Sequence, residues 1–193
     1  ILTATKQIAT KNKKTAIIFC HILNDANFFH GTDLFSGGFR EWLIETVLAA
    51  KNNTDVNWLL KLHPANTYRR KRLNEDGEFG EILAIKEELG EIPPNIKIVY
   101  PDNYINPLNF IKYGDFCITV RGTVGVEAAC FGNTVVNAGT GRYSGFGFTQ
   151  DPLTAESYIS QIRSLPELRK LSGNQVKRAQ RYATLFFKER PFN

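Results

Sequence analysis

Stretches typical of β-strands alternate with stretches typical of α-helices along most of this 193-residue chain. The strand-like stretches are short and rich in β-branched and aromatic residues, whereas the helix-like ones repeat apolar residues every three or four positions. Strands separated by helices predict a mostly parallel, doubly wound α/β sheet with right-handed crossovers. The predicted strands are residues 15–20, 56–62, 96–100, 115–120 and 134–137, and the predicted helices are residues 39–50, 79–89, 107–113 and 124–131.

The final part of the chain has a different pattern. Residues 139–147 contain four glycines among aromatic residues, which is typical of an irregular loop, and we expect this loop to bind a ligand. Residues 154–165 and 174–188 then predict two amphipathic terminal helices.

The length of the chain suits one domain, and we expect residues 1–193 to form a single α/β domain that ends in the helices of residues 154–193. The chain contains no methionine, even at position 1. We therefore expect a processed form or a fragment of a longer protein.

The three cysteines, Cys20, Cys117 and Cys130, lie in apolar surroundings without metal-ligand spacing. An odd number of cysteines does not suit a disulfide framework and favours a reducing compartment. No apolar run approaches the length of a transmembrane helix. We expect a cytoplasmic protein that could work at the inner face of the cell membrane.

Part of the formal net charge of +5 is concentrated in two basic runs, residues 11–14 and 68–72. Such runs usually form a solvated surface, and the alternatives are an acidic ligand or an anionic membrane surface. No signature of a nucleic-acid-binding module accompanies them, so we do not expect nucleic acid as a partner.

Two apolar runs end abruptly at polar clusters, which marks the carboxyl ends of two predicted strands. The first run ends at His63-Pro64 and the second at Arg121-Gly122-Thr123. Open α/β sheets bind ligands at the carboxyl ends of their strands. The second cluster also leads into a predicted helix, whose free backbone N–H groups and dipole favour an anion. We therefore expect a phosphate-bearing ligand there.

Several motifs occur in the order known from one family: HILND at residues 21–25, WLIET at 42–46, NWLLKLHPAN at 57–66, GTVGVEA at 122–128 and YSGFG at 143–147. This combination resembles bacterial capsule and surface polysaccharide biosynthesis proteins, which are GT-B glycosyltransferases related to the capsular Kdo transferases. The resemblance implies that the chain is one Rossmann-like half of a GT-B fold, the C-terminal half that holds the nucleotide sugar.

The resemblance further implies a CMP-, CDP- or UDP-linked sugar as donor and a growing glycan as acceptor. In such enzymes the residue matching His63 is implied to be catalytic, donating a hydrogen bond to the donor phosphate as the sugar–phosphate bond breaks. The acceptor's base would lie on the other half. We expect no cofactor and no metal ion, because neither a paired-carboxylate cluster nor a D-x-D motif is present.

Four residues of the second motif are expected to bind the ligand, and some of them have a competing interpretation. Gly122 and Thr123 would bind the phosphate through backbone N–H groups and a hydroxyl, although Thr123 could serve only as a helix N-cap. Arg121 could hold the phosphate or pair with a carboxylate such as Asp25. Glu127 lies one turn after Thr123, and we expect it to accept hydrogen bonds from ribose hydroxyls.

The other expected substrate contacts are Lys61, Asn66, Tyr143, His21 and Asp25. Tyr143 would wall the nucleotide base or the sugar, whereas Phe148 is expected to pack back onto the domain. His21 and Asp25 follow the first strand and could contact the acceptor or the sugar. We interpret His30 as a surface residue.

Two other functions remain open at this stage. The chain could belong to a different enzyme, either a nucleotide-sugar 2-epimerase or a teichoic-acid glycerophosphotransferase, although an epimerase would carry more acidic residues after the glycine turn than the single Glu127. Alternatively, it could be a non-catalytic module that binds a nucleotide or a partner protein, with Arg69 to Arg72 on an acidic surface.

Overall fold

Five parallel strands form a single sheet at the centre of the protein. The computed structural model describes residues 12–23, 31–74, 76–101 and 106–189. The strands are β1 (Lys14–Phe19), β2 (Val56–Lys61), β3 (Ile96–Val99), β4 (Phe116–Thr119) and β5 (Thr134–Asn137). Their order is β3-β2-β1-β4-β5. The chain therefore builds outward from β1 in two directions, which creates a switch point between β1 and β4.

Helices connect the strands and cover both faces of the sheet. They are α1 (Gly38–Lys51), α2 (Ala65–Leu73), α3 (Gly80–Leu89), α4 (Pro107–Tyr113), α5 (Val124–Cys130), α6 (Ala155–Arg163) and α7 (Gly173–Thr184), with a 3₁₀ turn (Leu165–Glu167) and a final π-helical turn (Leu185–Glu189). The Rossmann-like α/β fold predicted from the alternating pattern is confirmed. Helix α2 is the one regular element that the sequence did not predict.

Four of the strands bury both of their faces, whereas the edge strand β3 leaves Lys97 exposed. Ile18 and Leu60 point into a core that α1, α3 and α6 cover, whereas Ile17 and Leu59 point into a second core under α4, α5 and α7. Burial on both faces explains why the strands read as continuous apolar runs rather than as alternating patterns.

The two terminal helices are confirmed, and each begins with a capping box, at Thr154 and Ser172. Helix α6 is held on α1 by a buried polar cluster. The Trp42 indole donates to the Tyr158 hydroxyl (2.9 Å), and the Thr46 hydroxyl lies 2.9 Å from the same oxygen. Among the described residues, no helix is long and apolar enough to cross a membrane.

A short strap joins the segment after β1 to the segment after β5. Asp33 and Gly139 form an antiparallel bridge. The Thr140 backbone N–H donates to the Thr32 carbonyl (2.9 Å), and the Thr32 N–H donates to the Thr140 hydroxyl (2.8 Å). The strap therefore passes the carboxyl end of β4, which lies between β1 and β5 in the sheet.

Candidate functional site

A cavity of about 240 Å³ opens at the carboxyl ends of β1, β2 and β4, at the switch point of the sheet. We call it the strand-end cavity. It brings together six of the residues expected at a substrate site, and other residues that line it include Cys20, Thr119 and Val124. The six expected residues are His21, Lys61, His63, Gly122, Thr123 and Glu127.

His63 lies where β2 passes into α2, and its side chain lines the cavity. Its Nδ1 accepts a hydrogen bond from the Ala65 backbone N–H (3.2 Å). Because Nδ1 is the acceptor, the neutral ring carries its proton on Nε2. Pro64 is the N-cap residue of α2, so the turn that fixes the ring also starts the helix. The imidazole is thereby held in a form that can donate from Nε2.

Lys61 is a buried cation in the cavity wall. Only 5% of the residue is exposed, and its ammonium lies 5.3 Å from the centre of the Phe110 ring. Burial lowers the pKa of Lys61. Within the part of the chain that the structure describes, Lys61 forms no ion pair and no side-chain hydrogen bond. A buried ammonium is costly without a partner, so this site favours an anionic ligand.

Thr119 ties the ends of β1 and β4 together. Its Oγ1 lies 3.1 Å from His21 Nε2 and accepts from the Gly122 backbone N–H (3.3 Å). The His21 ring also stacks on Phe39 at 4.5 Å, and its Nε2 accepts from the Val120 N–H (3.3 Å). His21 thus lines the cavity and also fixes the turn at residues 120–122, between β4 and α5. Sequence reasoning missed Thr119, although its place as the last residue of a strand was a usable signal.

Thr123 and Glu127 line the cavity from α5, as their spacing of four residues predicted. Thr123 is the N-cap residue of α5, but its side chain makes no capping hydrogen bond. The interpretation of Thr123 as a side-chain N-cap is therefore wrong. Burial raises the pKa of Glu127, because the carboxylate loses water in the cavity wall.

Arg121 forms an ion pair with a carboxylate, and the partner is Asp33 in the strap. The sequence did not point to the segment that contains Asp33. Asp25, the partner suggested from the sequence, and His30 lie outside the described residues. Arg121 is not among the residues that line the strand-end cavity. Of the two uses foreseen for Arg121, the structure contains the ion pair.

Tyr143 lies beneath the turn rather than in the cavity. It is 4% exposed, and its hydroxyl donates to the Gly122 carbonyl (2.7 Å) and lies 3.2 Å from Asn137 Oδ1. The Asn137 amide in turn donates to Asp151 (2.8 Å). Burial raises the pKa of Tyr143 well above its usual value, so the hydroxyl stays a donor. Phe148 is fully buried, which confirms that it packs back onto the domain.

Asn66 does not line the strand-end cavity; it is buried and lines a second cavity, between α2 and α3. We call this second space the α2–α3 cavity. The basic run lies on the same helix: Arg69 and Arg70 are half-buried against this cavity, whereas Lys71 and Arg72 are exposed. Among the described residues, no group of three His, Cys, Asp or Glu side chains is placed to hold a metal ion.

Comparison with known proteins gave matches in structure only. No protein-family model matches the chain, and no curated protein matches it in sequence. The KpsC β-Kdo 2,4-transferase of Thermosulfurimonas dismutans has a TM-score of 0.51 and 17% identity over 88% of this chain. The UDP-GlcNAc 2-epimerase of Methanocaldococcus jannaschii, solved with UDP-GlcNAc and UDP, has a TM-score of 0.54 and 16% identity over 95%. These neighbours are GT-B proteins, and the chain shares their Rossmann-like α/β fold.

A further 2-epimerase, from Neisseria meningitidis and bound to UDP-GlcNAc, has a TM-score of 0.52 and 16% identity over 93% of this chain. The chain spans 44%, 48% and 43% of the lengths of these three proteins. At such identities the similarity shows the fold alone.

Proposed function

We propose that this chain is the nucleotide-sugar-binding domain of a GT-B glycosyltransferase that builds capsule or another surface polysaccharide. The observation that carries the proposal is the strand-end cavity, which combines the buried Lys61 with a histidine fixed as an Nε2 donor. The fold supports it, since structures of the same fold include a Kdo transferase and epimerases bound to UDP-GlcNAc. The role in capsule synthesis rests on the sequence motifs.

In this proposal the donor phosphate lies between Lys61 and His63. The Lys61 ammonium supplies the charge that neutralises the phosphate, and His63 Nε2 donates to an oxygen on which negative charge grows as the sugar leaves. The Thr123 hydroxyl and the Glu127 carboxylate line the same cavity, and Glu127 accepts hydrogen bonds from the ribose. The base that deprotonates the acceptor belongs to the other half of the GT-B enzyme.

Calorimetric titration with UDP, CDP and CMP tests the proposal. Lys61→Met keeps the length and apolar stem of the side chain but removes its charge, and we expect the best-bound nucleotide to lose about 10- to 150-fold in affinity, the equivalent of about 1.5–3 kcal/mol for a charge-assisted bond. His63→Ala should fall in the same range.

Lys112→Met is the matched control, because Lys112 is exposed and its ammonium also lies near an aromatic ring, 5.7 Å from the centre of Phe131. It should bind as the unmodified protein does. If no nucleotide binds to the unmodified chain, or if Lys61→Met binds it unchanged, the proposal is wrong.

A nucleotide-sugar 2-epimerase is the second candidate, because two of the structures with the same fold are such enzymes. The two functions differ in what happens to the nucleotide. A transferase releases free nucleotide when an acceptor glycan is present, whereas an epimerase returns an intact nucleotide sugar with an altered C2. Analysis of the products of the full-length protein therefore separates them.

A further inference from the structure

The α2–α3 cavity is larger than the strand-end cavity, at about 340 Å³. This volume falls within the range of ligand sites in proteins, roughly 300–1,000 Å³. Helix α2 connects the two cavities, since it begins beside His63-Pro64 in one and lines the other with Asn66 and Arg69.

Two buried polar side chains from different helices form part of the α2–α3 cavity. Asn66 is 7% exposed and Glu81 is 2% exposed. The Asn66 amide donates to Glu81 Oε1 at 2.6 Å. Within the described residues no other hydrogen bond involves either side chain, so Asn66 Oδ1 and Glu81 Oε2 remain as acceptors. Buried carboxylates and amides are normally satisfied, so a donor from a ligand suits this position.

Arg69 adds a donor to the same wall. It is half-buried, and it forms no ion pair or side-chain hydrogen bond within the described part of the chain. Its neighbour Arg70 is used structurally, because it donates to the Gly77 carbonyl and lies over the Phe79 ring at 4.4 Å. Of the two arginines that line the cavity, Arg69 is thus the one whose guanidinium can serve a ligand.

The mixture of groups decides the class of ligand. A simple anion would suit Arg69 but would be repelled by Glu81 and by Asp76 and Glu78, which also line the cavity. A sugar residue carries hydroxyl groups that both donate and accept, and it therefore suits Arg69 and the free acceptors of Asn66 and Glu81 together.

We propose that the α2–α3 cavity binds one sugar residue of the acceptor glycan, with Asn66, Arg69 and Glu81 as its hydrogen-bonding groups. This inference rests on the proposed function, since a glycan is present only if the protein acts on one. Burial raises the pKa of Cys20, a residue of the strand-end cavity, and the negative charge of Glu81 raises it further. The two sites therefore lie within electrostatic reach of each other. A glycan held here would extend from the reaction centre along α2.

The test is a titration of the ¹⁵N-labelled chain with methyl β-glucoside, sodium glucuronate and, as an anion that is not a sugar, sodium phosphate. We expect at least one of the two sugars to shift the backbone amide signals of Asn66, Arg69 and Glu81. Arg69→Gln should weaken that binding about fivefold or more, the loss expected for one hydrogen bond. Arg72→Gln, on the exposed side of the same helix, is the matched control and should bind normally.

Three results would overturn the inference: no shift with either sugar up to about 0.1 M, equal shifts with phosphate, or equal losses for Arg69→Gln and Arg72→Gln. A parallel titration with UDP and CMP keeps the two proposals apart, because these nucleotides should shift the amides of Thr123 and Glu127. Nucleotide binding without sugar binding removes the acceptor site alone, whereas failure of nucleotide binding removes the proposed function.

Discussion

At the scale of single residues, Tyr143 is most informative because its hydroxyl supports the turn without lining the cavity. Tyr143→Phe removes the hydrogen bond to the Gly122 carbonyl together with the contact of the hydroxyl with Asn137 Oδ1. We expect the free energy of unfolding to fall by about 1 kcal/mol and nucleotide affinity to fall about fivefold, since the turn loses its support. Denaturant unfolding and calorimetry measure the two effects.

Tyr182→Phe is the matched control, because the Tyr182 hydroxyl donates to the Arg142 carbonyl of the same loop (2.9 Å) without reaching the turn. Its stability should fall by a similar amount while its nucleotide affinity stays unchanged. Equal affinities for the two variants would show that Tyr143 acts on stability only.

Glu127 makes the stability of the protein depend on pH. Burial raises the pKa of Glu127, so the folded protein binds this proton more tightly than the unfolded chain. The resulting stability is fully present below the ordinary carboxyl pKa and is lost as the pH rises through the raised value. Glu127→Gln should therefore reduce the fall in unfolding free energy between acid and neutral pH.

Urea unfolding at several pH values measures this slope, with Glu88→Gln, an exposed residue of α3, as the control that should leave it unchanged. In calorimetry, Glu127→Gln should also narrow the preference for a ribonucleotide over its deoxy counterpart. An unaltered preference would argue against a ribose contact.

At the scale of secondary-structure elements, α5 can pack on Tyr143 because it contains Gly125. A Cβ atom at this position would collide with the Tyr143 hydroxyl. Gly125→Ala should therefore destabilise the protein by about 1–3 kcal/mol through overpacking. Adding Tyr143→Phe should recover part of that loss, as thermal unfolding of the single and double variants would reveal.

Gly173→Ala is the control for the intrinsic preference of helices, because a Cβ atom at Gly173 in the first turn of α7 meets no atom within 4 Å. It should be neutral or slightly stabilising. A Gly125→Ala variant as stable as this control would contradict the packing argument.

The elements differ in how far the sequence predicted them. Four of the strands were predictable because both of their faces are buried, which produces nearly continuous apolar runs. Strand β3 was predictable from its β-branched residues, despite the exposed Lys97. Helix α2 was missed because it is mostly polar and buries only Asn66, so it has no apolar stripe. The available signal was Pro64, which directly precedes the helix as its N-cap residue.

Within the site, the sequence predicted the residues that lie close together along the chain but not the contacts between distant segments. His63, Thr123 and Glu127 were predictable because they lie at strand ends or one helical turn apart. The partner of Arg121 and the position of Tyr143 depend on contacts between distant segments, Asp33 with Arg121 and Tyr143 with Gly122. Spacing along the chain carries no information about such contacts.

At the scale of the whole molecule, the chain spans less than half of each GT-B structure described above. Since GT-B enzymes react between two domains, and closure brings the acceptor to the donor, we expect the isolated 193-residue chain to bind a nucleotide but transfer no sugar. Release of free nucleotide from a nucleotide sugar in the presence of acceptor glycan measures turnover. Repeated turnover by this chain alone would refute the assignment of the acceptor base to another domain.

The strap between Thr32 and Thr140 bears on the rate at which the folded protein unfolds. It joins residues 108 positions apart and requires the segments after β1 and β5 to be in place together, so we expect it to form late in folding. Contacts absent from the transition state govern the rate of unfolding and leave the rate of folding almost unchanged. We therefore expect the strap to lengthen the lifetime of the native state by slowing its unfolding.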